Sequence, residues 1–328
     1  MKVLCEHAHS DNPALRLDAM WALKHFVDAV SPELKKACLE QLEPGWLIQL
    51  ISDDDEDSDL YGAGTRHAPA DDLDEDMEAP QGEGSFRWLY ARDGTVRELD
   101  ATNSSRLRQV EDYLSTVRES ELNPARRARN DDLAIQEQGL DFIRNLIGRP
   151  YSGGSTDTTE APDAITDVVD YLFSALGQDR LFEILASKLR SRIIHPFSRR
   201  TPSAGREPKI FHPRARIVHA VIYILVHIAA SIPRHRQLVI SQQDLLRLVG
   251  QQSSSKDREV RLALCHLIIN LTWGAEGDSD AAALAQRARD LRNLGFHTKM
   301  EALRHQDRDL DVRERAKMAA WQLEQATY

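Results

Sequence analysis

One helical pattern recurs five times along this chain, and it constrains the fold more than any other feature of the sequence. In each copy, apolar or small residues stand one position before a reference residue and three, six, seven and ten positions after it. At about 100° per residue these positions form one stripe on an α-helix, and a polar residue at position +9 lies at the edge of that stripe. The five reference residues are Arg16, Gln136, Val218, Arg261 and Arg313.

The spacing of the copies indicates a stack of similar units. Successive reference residues are separated by 120, 82, 43 and 52 positions, whereas armadillo and HEAT units have about 40–47 residues. The two long intervals therefore need an inserted loop or a degenerate unit. Shorter helices are predicted between the copies, so that two helices precede each long one, as in a three-helix armadillo unit. These helices are Pro32–Leu42, Trp46–Ile51, Asn103–Ser120, Asp163–Ala175, Gln178–Arg190, Gln243–Gly250, Asp280–Leu294 and Phe296–Gln306.

The predicted fold class is all-α, because strand-like alternation is nearly absent from the sequence. We expect residues 1–328 to form one armadillo-repeat solenoid with a right-handed superhelix. An acidic insertion at residues 52–102 is predicted to be mostly disordered, since it contains few apolar side chains. A second loop, residues 194–213, is basic and rich in proline. Each loop is either a tolerated insertion or a docking segment for a partner of opposite charge.

The charge distribution bears on the class of partner. Between Asp53 and Glu78 there are twelve acidic residues and one Arg, whereas the net charge of the whole chain is −10. The remainder is close to neutral, which argues against a nucleic-acid binder with a large positive field. The longest apolar run, Ile217–Ile232, is shorter than the about 20 residues of a membrane span. With no secretory signal evident at residues 1–11, we expect a soluble, intracellular protein that does not insert into membranes.

The polar edge of the stacked helices predicts a groove for a protein partner. Positions +5, +9 and +12 share one stripe, and stacking brings the stripes of neighbouring units side by side. Side chains at +9 donate and accept hydrogen bonds and so suit the main chain of an extended peptide, while aromatic residues and methionine supply apolar anchors. The predicted groove contains Trp21, His25, Asp141, Asn145, Tyr223, His227, His266, Asn270, Trp273, Met318 and Gln322.

Other interpretations of these residues stay open. The polar side chains can instead tie one helix to the next. The groove interpretation predicts that replacing Asn145 and Asn270 by alanine weakens partner binding and leaves folding unchanged. Trp21 and His25 also resemble the Trp-x-x-x-Asn pairs of importin-type transport adaptors, which use several such pairs to hold a basic signal. In this sequence there is one pair, and His replaces Asn.

Three segments resemble armadillo repeats in general. Ile135–Leu146 and Val260–Leu271 are similar to the third helix of a repeat, and Gly45–Ile51 is similar to the second helix. The resemblance implies the three-helix solenoid that the spacing of the copies also predicts.

Segments near the two ends resemble one armadillo family more specifically. Asn12–Val27, Pro44–Leu47 and Asp311–Leu323 resemble the armadillo subunit of the GID/CTLH E3 ubiquitin-ligase complex. The resemblance implies a scaffold that joins the core of the ligase and docks its substrate receptor, partly by holding the receptor's C-terminal tail in a concave groove. It also implies a link to vacuolar import and proteasomal degradation of gluconeogenic enzymes, in the cytoplasm or nucleus. The family has an N-terminal portion beyond this chain, and no helix is predicted before the first copy. We therefore expect the C-terminal part of a longer array.

No catalytic, cofactor or metal site is predicted. The glycines of the acidic insertion do not precede a helix, as a phosphate-binding loop requires. Cys5, His7 and His9 are close in sequence, but such a group at a terminus is more often structural than metal-binding. Cys38 and Cys265 fall within helical patterns and are expected to be buried thiols. The alternative to a ligase scaffold is another non-catalytic armadillo adaptor, importin-like or signalling.

Overall fold

The long helices begin where the sequence supplies a cap. In the computed structural model, Asn12, Asp257 and Asp309 each stand four residues before a reference residue. Each Oδ1 accepts hydrogen bonds from two main-chain N–H groups of the first turn. Two reference residues, Arg16 and Arg261, donate to the carbonyl oxygen six positions upstream, at 2.9 and 2.8 Å. The repeat is therefore visible in how these helices start as well as in their apolar stripes.

The structure describes residues 1–52, 124–148, 162–194, 209–274 and 281–325. The helices in these ranges are α1 (Lys2–Ala8), α2 (Pro13–Ala29), α3 (Pro32–Gln41), α4 (Pro44–Ile51), α5 (Pro124–Ile147), α6 (Pro162–Leu176), α7 (Gln178–Leu189), α8 (Ala215–Ala230), α9 (Pro233–Ser241), α10 (Gln243–Gln251), α11 (Arg258–Leu271), α12 (Ala281–Asn293), α13 (Phe296–Gln306) and α14 (Leu310–Gln325). A 3-10 turn, Gln252–Ser254, follows α10, and two short strands, β1 (Arg192–Ile194) and β2 (Lys209–Phe211), lie between α7 and α8.

The chain divides into two compact units. Residues 1–53 and 130–328 form the first, and residues 54–129 form the second, of which the structure describes only the opening residues of α5. The acidic insertion after residue 52 and the predicted helix Asn103–Ser120 lie outside the described residues. The architecture below concerns the first unit.

The helices of the first unit are arranged in threes. The triplets are α3–α4–α5, α6–α7–α8, α9–α10–α11 and α12–α13–α14, and α1 and α2 precede them. The first helix of one triplet contacts the first helix of a neighbouring triplet: α3 packs against α6, and α9 packs against α12. The second helices α7 and α10 also contact each other. The predicted three-helix unit is confirmed, and the fold is an all-α solenoid.

Helix α2 carries the first copy of the pattern and is therefore equivalent to the third helix of a triplet. The five third helices, α2, α5, α8, α11 and α14, lie side by side in chain order. Lys24 Nζ is 2.9 Å from Asp141 Oδ2 between α2 and α5, and Arg216 Nη1 is 3.3 Å from Glu137 Oε1 between α5 and α8. Helix α11 packs directly against both α8 and α14. The predicted apolar stripe is fully buried in the last four copies, whereas in α2 Leu15 is 38% exposed.

Gly139 marks a close approach between a second and a third helix. A Cβ atom added there would meet Ile51 Cγ2 at 2.8 Å and Leu50 Cδ2 at 3.2 Å, both closer than normal carbon contacts of about 3.5–4.0 Å. Glycine at position +3 of α5 therefore lets α4 lie against the backbone of α5.

Three sequence expectations need correction. A helix does precede the first copy: α1 packs on α2 and buries Cys5 and Ala8. Helix α9 was not predicted. The ends of the predicted basic loop 194–213 pair as antiparallel strands, with Ile193 opposite Ile210, while residues 195–208 lie outside the described part.

The cysteines agree with the sequence interpretation. Cys5, Cys38 and Cys265 are all buried, with free thiols. Burial raises the pKa of the Cys265 thiol to about 12, so this thiol stays protonated. No helix within the described ranges combines the length and the apolar character needed to cross a bilayer.

Candidate functional site

The third helices present a row of polar and aromatic side chains that we call the third-helix face. All eleven residues predicted for the groove are on it, and each is exposed or half-buried. Helix α2 contributes Trp21 and His25, α5 Asp141 and Asn145, α8 Tyr223 and His227, α11 His266 and Asn270, and α14 Met318 and Gln322, while Trp273 follows the end of α11. The side-by-side packing of the third helices brings these residues onto one surface.

Two asparagines of the face tie neighbouring helices together in the same register. Asn145 Nδ2 donates to the carbonyl oxygen of Lys24 at 2.9 Å, and Asn270 Nδ2 donates to that of Val226 at 3.0 Å. In both cases the side chain at +9 of one third helix donates a hydrogen bond to the main-chain carbonyl oxygen at +8 of the preceding third helix. Gln322, the +9 residue of α14, differs because its Oε1 accepts a hydrogen bond from the Thr272 hydroxyl at 3.0 Å.

These contacts change one expectation from the sequence. Asn145 is engaged at both ends of its amide, since its Oδ1 also accepts from Arg144 Nε at 3.1 Å. Replacing Asn145 and Asn270 by alanine therefore removes hydrogen bonds between neighbouring third helices, and we now expect the double variant to be less stable rather than unchanged in folding. Each Nδ2 has a second N–H group, so peptide binding by these residues stays a prediction.

Charged side chains at the α2–α5 junction form a compact network. Asp141 accepts from Lys24 Nζ at its Oδ2 and from Arg144 Nη1 at its Oδ1, both at 2.9 Å. Both carboxylate oxygens of Asp141 are thus paired within the chain. This part of the face therefore offers hydrogen-bonding groups rather than a free negative charge to a basic partner.

An aromatic cluster occupies the middle of the face. The ring of Tyr223 lies 4.6 Å from that of His219, 6.1 Å from that of His227 and 6.2 Å from that of His266. Its hydroxyl is 3.3 Å from His266 Nδ1. Burial lowers the pKa values of His219 and His266, with Arg144 and Arg315 respectively acting in the same direction. Both imidazoles are therefore neutral at pH 7 and present one donor and one acceptor each.

Exposed apolar side chains flank the cluster at both ends. Trp21, Trp273 and Met318 are 56%, 49% and 37% exposed, and the Trp21 ring packs edge-on against His25 at 4.6 Å. Trp321, which the sequence analysis did not select, is 57% exposed. It lies at +8 of α14, next to the predicted stripe, and its size alone was the signal available in the sequence.

A cavity of about 860 Å³ lies at the α14 end of the face. His266 and Leu262 of α11 line it together with Met318 and Trp321 of α14. Charged side chains of both signs surround these four, namely Arg304, Asp311, Glu314, Arg315, Lys317 and Glu324. Such a mixture of apolar floor and charged rim suits an apolar side chain of a protein partner.

A Ser–His–Asp chain in the first unit is structural. Ser231 Oγ lies 2.6 Å from His235 Nδ1, and His235 Nε2 lies 2.8 Å from Asp170 Oδ1. His235 is fully buried, however, and the Ser231 hydroxyl donates to the carbonyl oxygen of Ile228 at 2.7 Å. The arrangement joins α6 to the start of α9, and its central residue, His235, is out of contact with solvent.

The N-terminal Cys–His group is also engaged in packing. His9 stacks on Trp46 at 4.4 Å, and its Nε2 lies 3.1 Å from the carbonyl oxygen of Leu42. Cys5 is buried, whereas His7 is exposed. A different group, His297, Glu301 and Glu324, brings three possible metal ligands within 4.8 Å of one another.

Comparisons with known proteins identify the fold and give one distant relative. No family model matches the chain. GID complex subunit 5 of Schizosaccharomyces pombe is 27% identical over 237 residues, which cover 58% of this chain and 25% of that protein. A designed armadillo repeat protein solved in complex with the peptide (KR)4 superimposes with a TM-score of 0.50 at 11% identity, covering 100% of this chain and 81% of that one. The chain thus spans about a quarter of the length of its curated relative, and its fold is that of an armadillo-repeat solenoid.

Proposed function

We propose that this chain is a non-catalytic scaffold subunit of a GID/CTLH-type E3 ubiquitin ligase. The choice of complex is supported by the distant similarity to GID complex subunit 5 of S. pombe and by the resemblance of segments near both ends. The armadillo-repeat fold supports a scaffold or adaptor role, because such solenoids use extended surfaces to bind other proteins.

The docking surface in this proposal is the third-helix face, which holds a segment of the substrate receptor. One observation carries this assignment: large apolar side chains stay exposed on a surface rich in hydrogen-bonding groups. Trp21, Trp273 and Met318 are more exposed than core packing would leave them. Met318 lines a cavity together with the exposed Trp321, and adjoining exposed apolar residues mark binding sites. The neutral His266 and its neighbours on the face supply donors and acceptors for the partner's main chain.

The proposal extends to the complex as a whole. The receptor is held by this subunit while other subunits carry out ubiquitin transfer, and the substrates are degraded by the proteasome or after vacuolar import. In this proposal the complex acts in the cytoplasm or the nucleus. No cofactor, nucleic acid or membrane insertion enters the proposal.

Affinity purification of the tagged chain followed by mass spectrometry tests the choice of complex. We expect RING-domain and CTLH-domain proteins among the partners. Recovery of importin-β or cadherin-type partners in their place would reject the proposal in favour of another armadillo adaptor.

Point variants test the docking surface. Trp273→Ala and Met318→Ala should each weaken receptor binding at least tenfold, because anchors of this kind contribute about 2 kcal/mol or more to an interface. Leu34→Ala is the matched control, since Leu34 is 47% exposed but lies on α3, outside the third-helix face. If all three variants bind the receptor as tightly as the unmodified chain does, the receptor binds elsewhere.

A further inference from the structure

Ligand-type side chains converge where α13 packs against α14. His297 Nε2 lies 3.1 Å from Glu324 Oε1, and one carboxylate oxygen of Glu301 lies within 4.8 Å of both ligand atoms. His297 and Glu301 are four residues apart and so share one face of α13, while Glu324 comes from the end of α14. None of these three residues is among those predicted for the groove, although Glu324 also lies at the rim of the cavity at the α14 end of the third-helix face.

We propose that His297, Glu301 and Glu324 bind a Zn²⁺ ion, with water as the fourth ligand. Zinc takes imidazole nitrogen and carboxylate oxygen at about 2.0–2.2 Å in a tetrahedral arrangement, in which ligand atoms are about 3.3 Å apart. The observed 3.1 Å between Nε2 and Oε1 is a hydrogen bond that the ion would replace, and it already holds these two atoms at nearly the length of one edge of that tetrahedron. Closing the remaining distances needs rotations of exposed or half-buried side chains, and Glu301 must loosen its bonds to Arg304 and His305.

A fourth residue orients one of the ligands. His305 Nε2 lies 3.2 Å from Glu301 Oε2, one helical turn further along α13. Burial acts to raise the pKa of Glu301, but hydrogen bonds from Arg304 and His305 outweigh it, so the net shift is downward and the group is a carboxylate at neutral pH. Outer contacts of this kind fix the direction in which a metal ligand points.

The same surroundings oppose the metal with the positive charge of Arg304. Arg304 Nη1 donates to Glu301 Oε1 at 3.0 Å. The ion must share Glu301 with this guanidinium, so Arg304 weakens binding. The imidazole nitrogen selects a transition ion such as Zn²⁺ over Mg²⁺, which prefers oxygen ligands alone. Binding would join the second and third helices of the last unit through side chains from both.

Titration of the EDTA-treated full chain with Zn²⁺ in a chelator-competition assay tests the site. One ion per chain is expected, with no competition from Mg²⁺ and weaker binding at pH 5.5 than at pH 7.5, because protons compete for the imidazole. His297→Ala and Glu324→Gln should each lower the affinity at least tenfold. Arg304→Gln should raise it several-fold, because the opposing cation is removed.

The control variant is His7→Ala, since His7 is exposed on α1 beside Cys5 and His9. It should leave the affinity for Zn²⁺ unchanged. The proposal is overturned if His7→Ala is the variant that weakens binding, or if His297→Ala and Glu324→Gln, folded by circular dichroism, bind as the unmodified chain does. Either result would mean an adventitious ion only. The outcome is independent of whether the chain belongs to a ubiquitin ligase.

Discussion

The buried ion pair between Arg261 and Asp307 gives a sharp test of what holds the last two units together. Arg261 Nε lies 2.6 Å from Asp307 Oδ2, and its Nη2 lies 3.0 Å from Oδ1. The two side chains are only 8% and 3% exposed. Asp307 lies two residues before Asp309, the cap of α14, and its Oδ1 accepts from the Asp309 main-chain N–H at 2.9 Å. The pair therefore fixes the start of α14 against α11.

Replacing Asp307 by alanine should lower the free energy of unfolding by about 3–5 kcal/mol, because it leaves a buried guanidinium without its counter-charge. The two remaining bonds of Arg261, from Nη1 to the carbonyl oxygens of Ser255 and Lys256 at 2.8 and 3.0 Å, do not neutralise it. Replacing both partners, as Arg261→Met with Asp307→Leu, should cost much less than Asp307→Ala alone, since no uncompensated charge is then buried.

Urea unfolding followed by circular dichroism measures the loss, and hydrogen exchange shows where it falls. In a solenoid each unit contacts only its neighbours, so faster exchange should be concentrated in α12–α14. The control is Asp244→Ala, because Asp244 pairs with Arg247 at 2.6 Å but the two side chains are 85% and 59% exposed. That variant should change stability by about 0–1 kcal/mol. If Asp307→Ala costs no more than Asp244→Ala, burial does not strengthen this pair and the reasoning fails.

Three further predictions concern packing, hydrogen bonding and pH. Gly139→Ala places a Cβ 2.8 Å from Ile51 Cγ2 and should cost about 1–3 kcal/mol for overpacking, against a gain of up to about 1 kcal/mol in helix propensity; a higher urea midpoint would contradict this. Asn270→Ala removes the 3.0 Å bond to the Val226 carbonyl oxygen and should cost about 1 kcal/mol, so an unchanged thermal midpoint would show that the bond contributes nothing. Burial lowers the pKa of His235 in the folded chain, so the unfolded chain binds more protons and stability should fall as pH drops below about 6.5. In His235→Gln that part of the pH dependence should be lost, and an identical pH profile would assign it to other groups.

The third helices were predictable because their signal is long and regular. Four copies bury every position of the apolar stripe, and the face at +5 and +9 then follows from helix geometry alone. Helix α1 was missed because its seven residues are too few for the spacing of apolar positions to repeat. Helix α9 was missed because its core residues include His235 and Arg236, which look like surface residues until their partners are known.

The roles of the polar residues were less predictable than their positions. Sequence spacing places Asn145 and Asn270 on the face, but whether an amide points at a neighbouring backbone or at solvent depends on the register between two helices to within about one hydrogen-bond length. The ring contacts of Tyr223 with His219 and His266 depend on the same register. No pattern within a single helix encodes it.

The asparagine bonds between third helices also bear on how such an array tolerates mutation. Each bond requires an amide on one helix but accepts any residue on the other, because the acceptor is a main-chain oxygen. The acceptor residue is Lys24 in one instance and Val226 in the other. The residue at the acceptor position can therefore change between units while the spacing between neighbouring third helices is preserved.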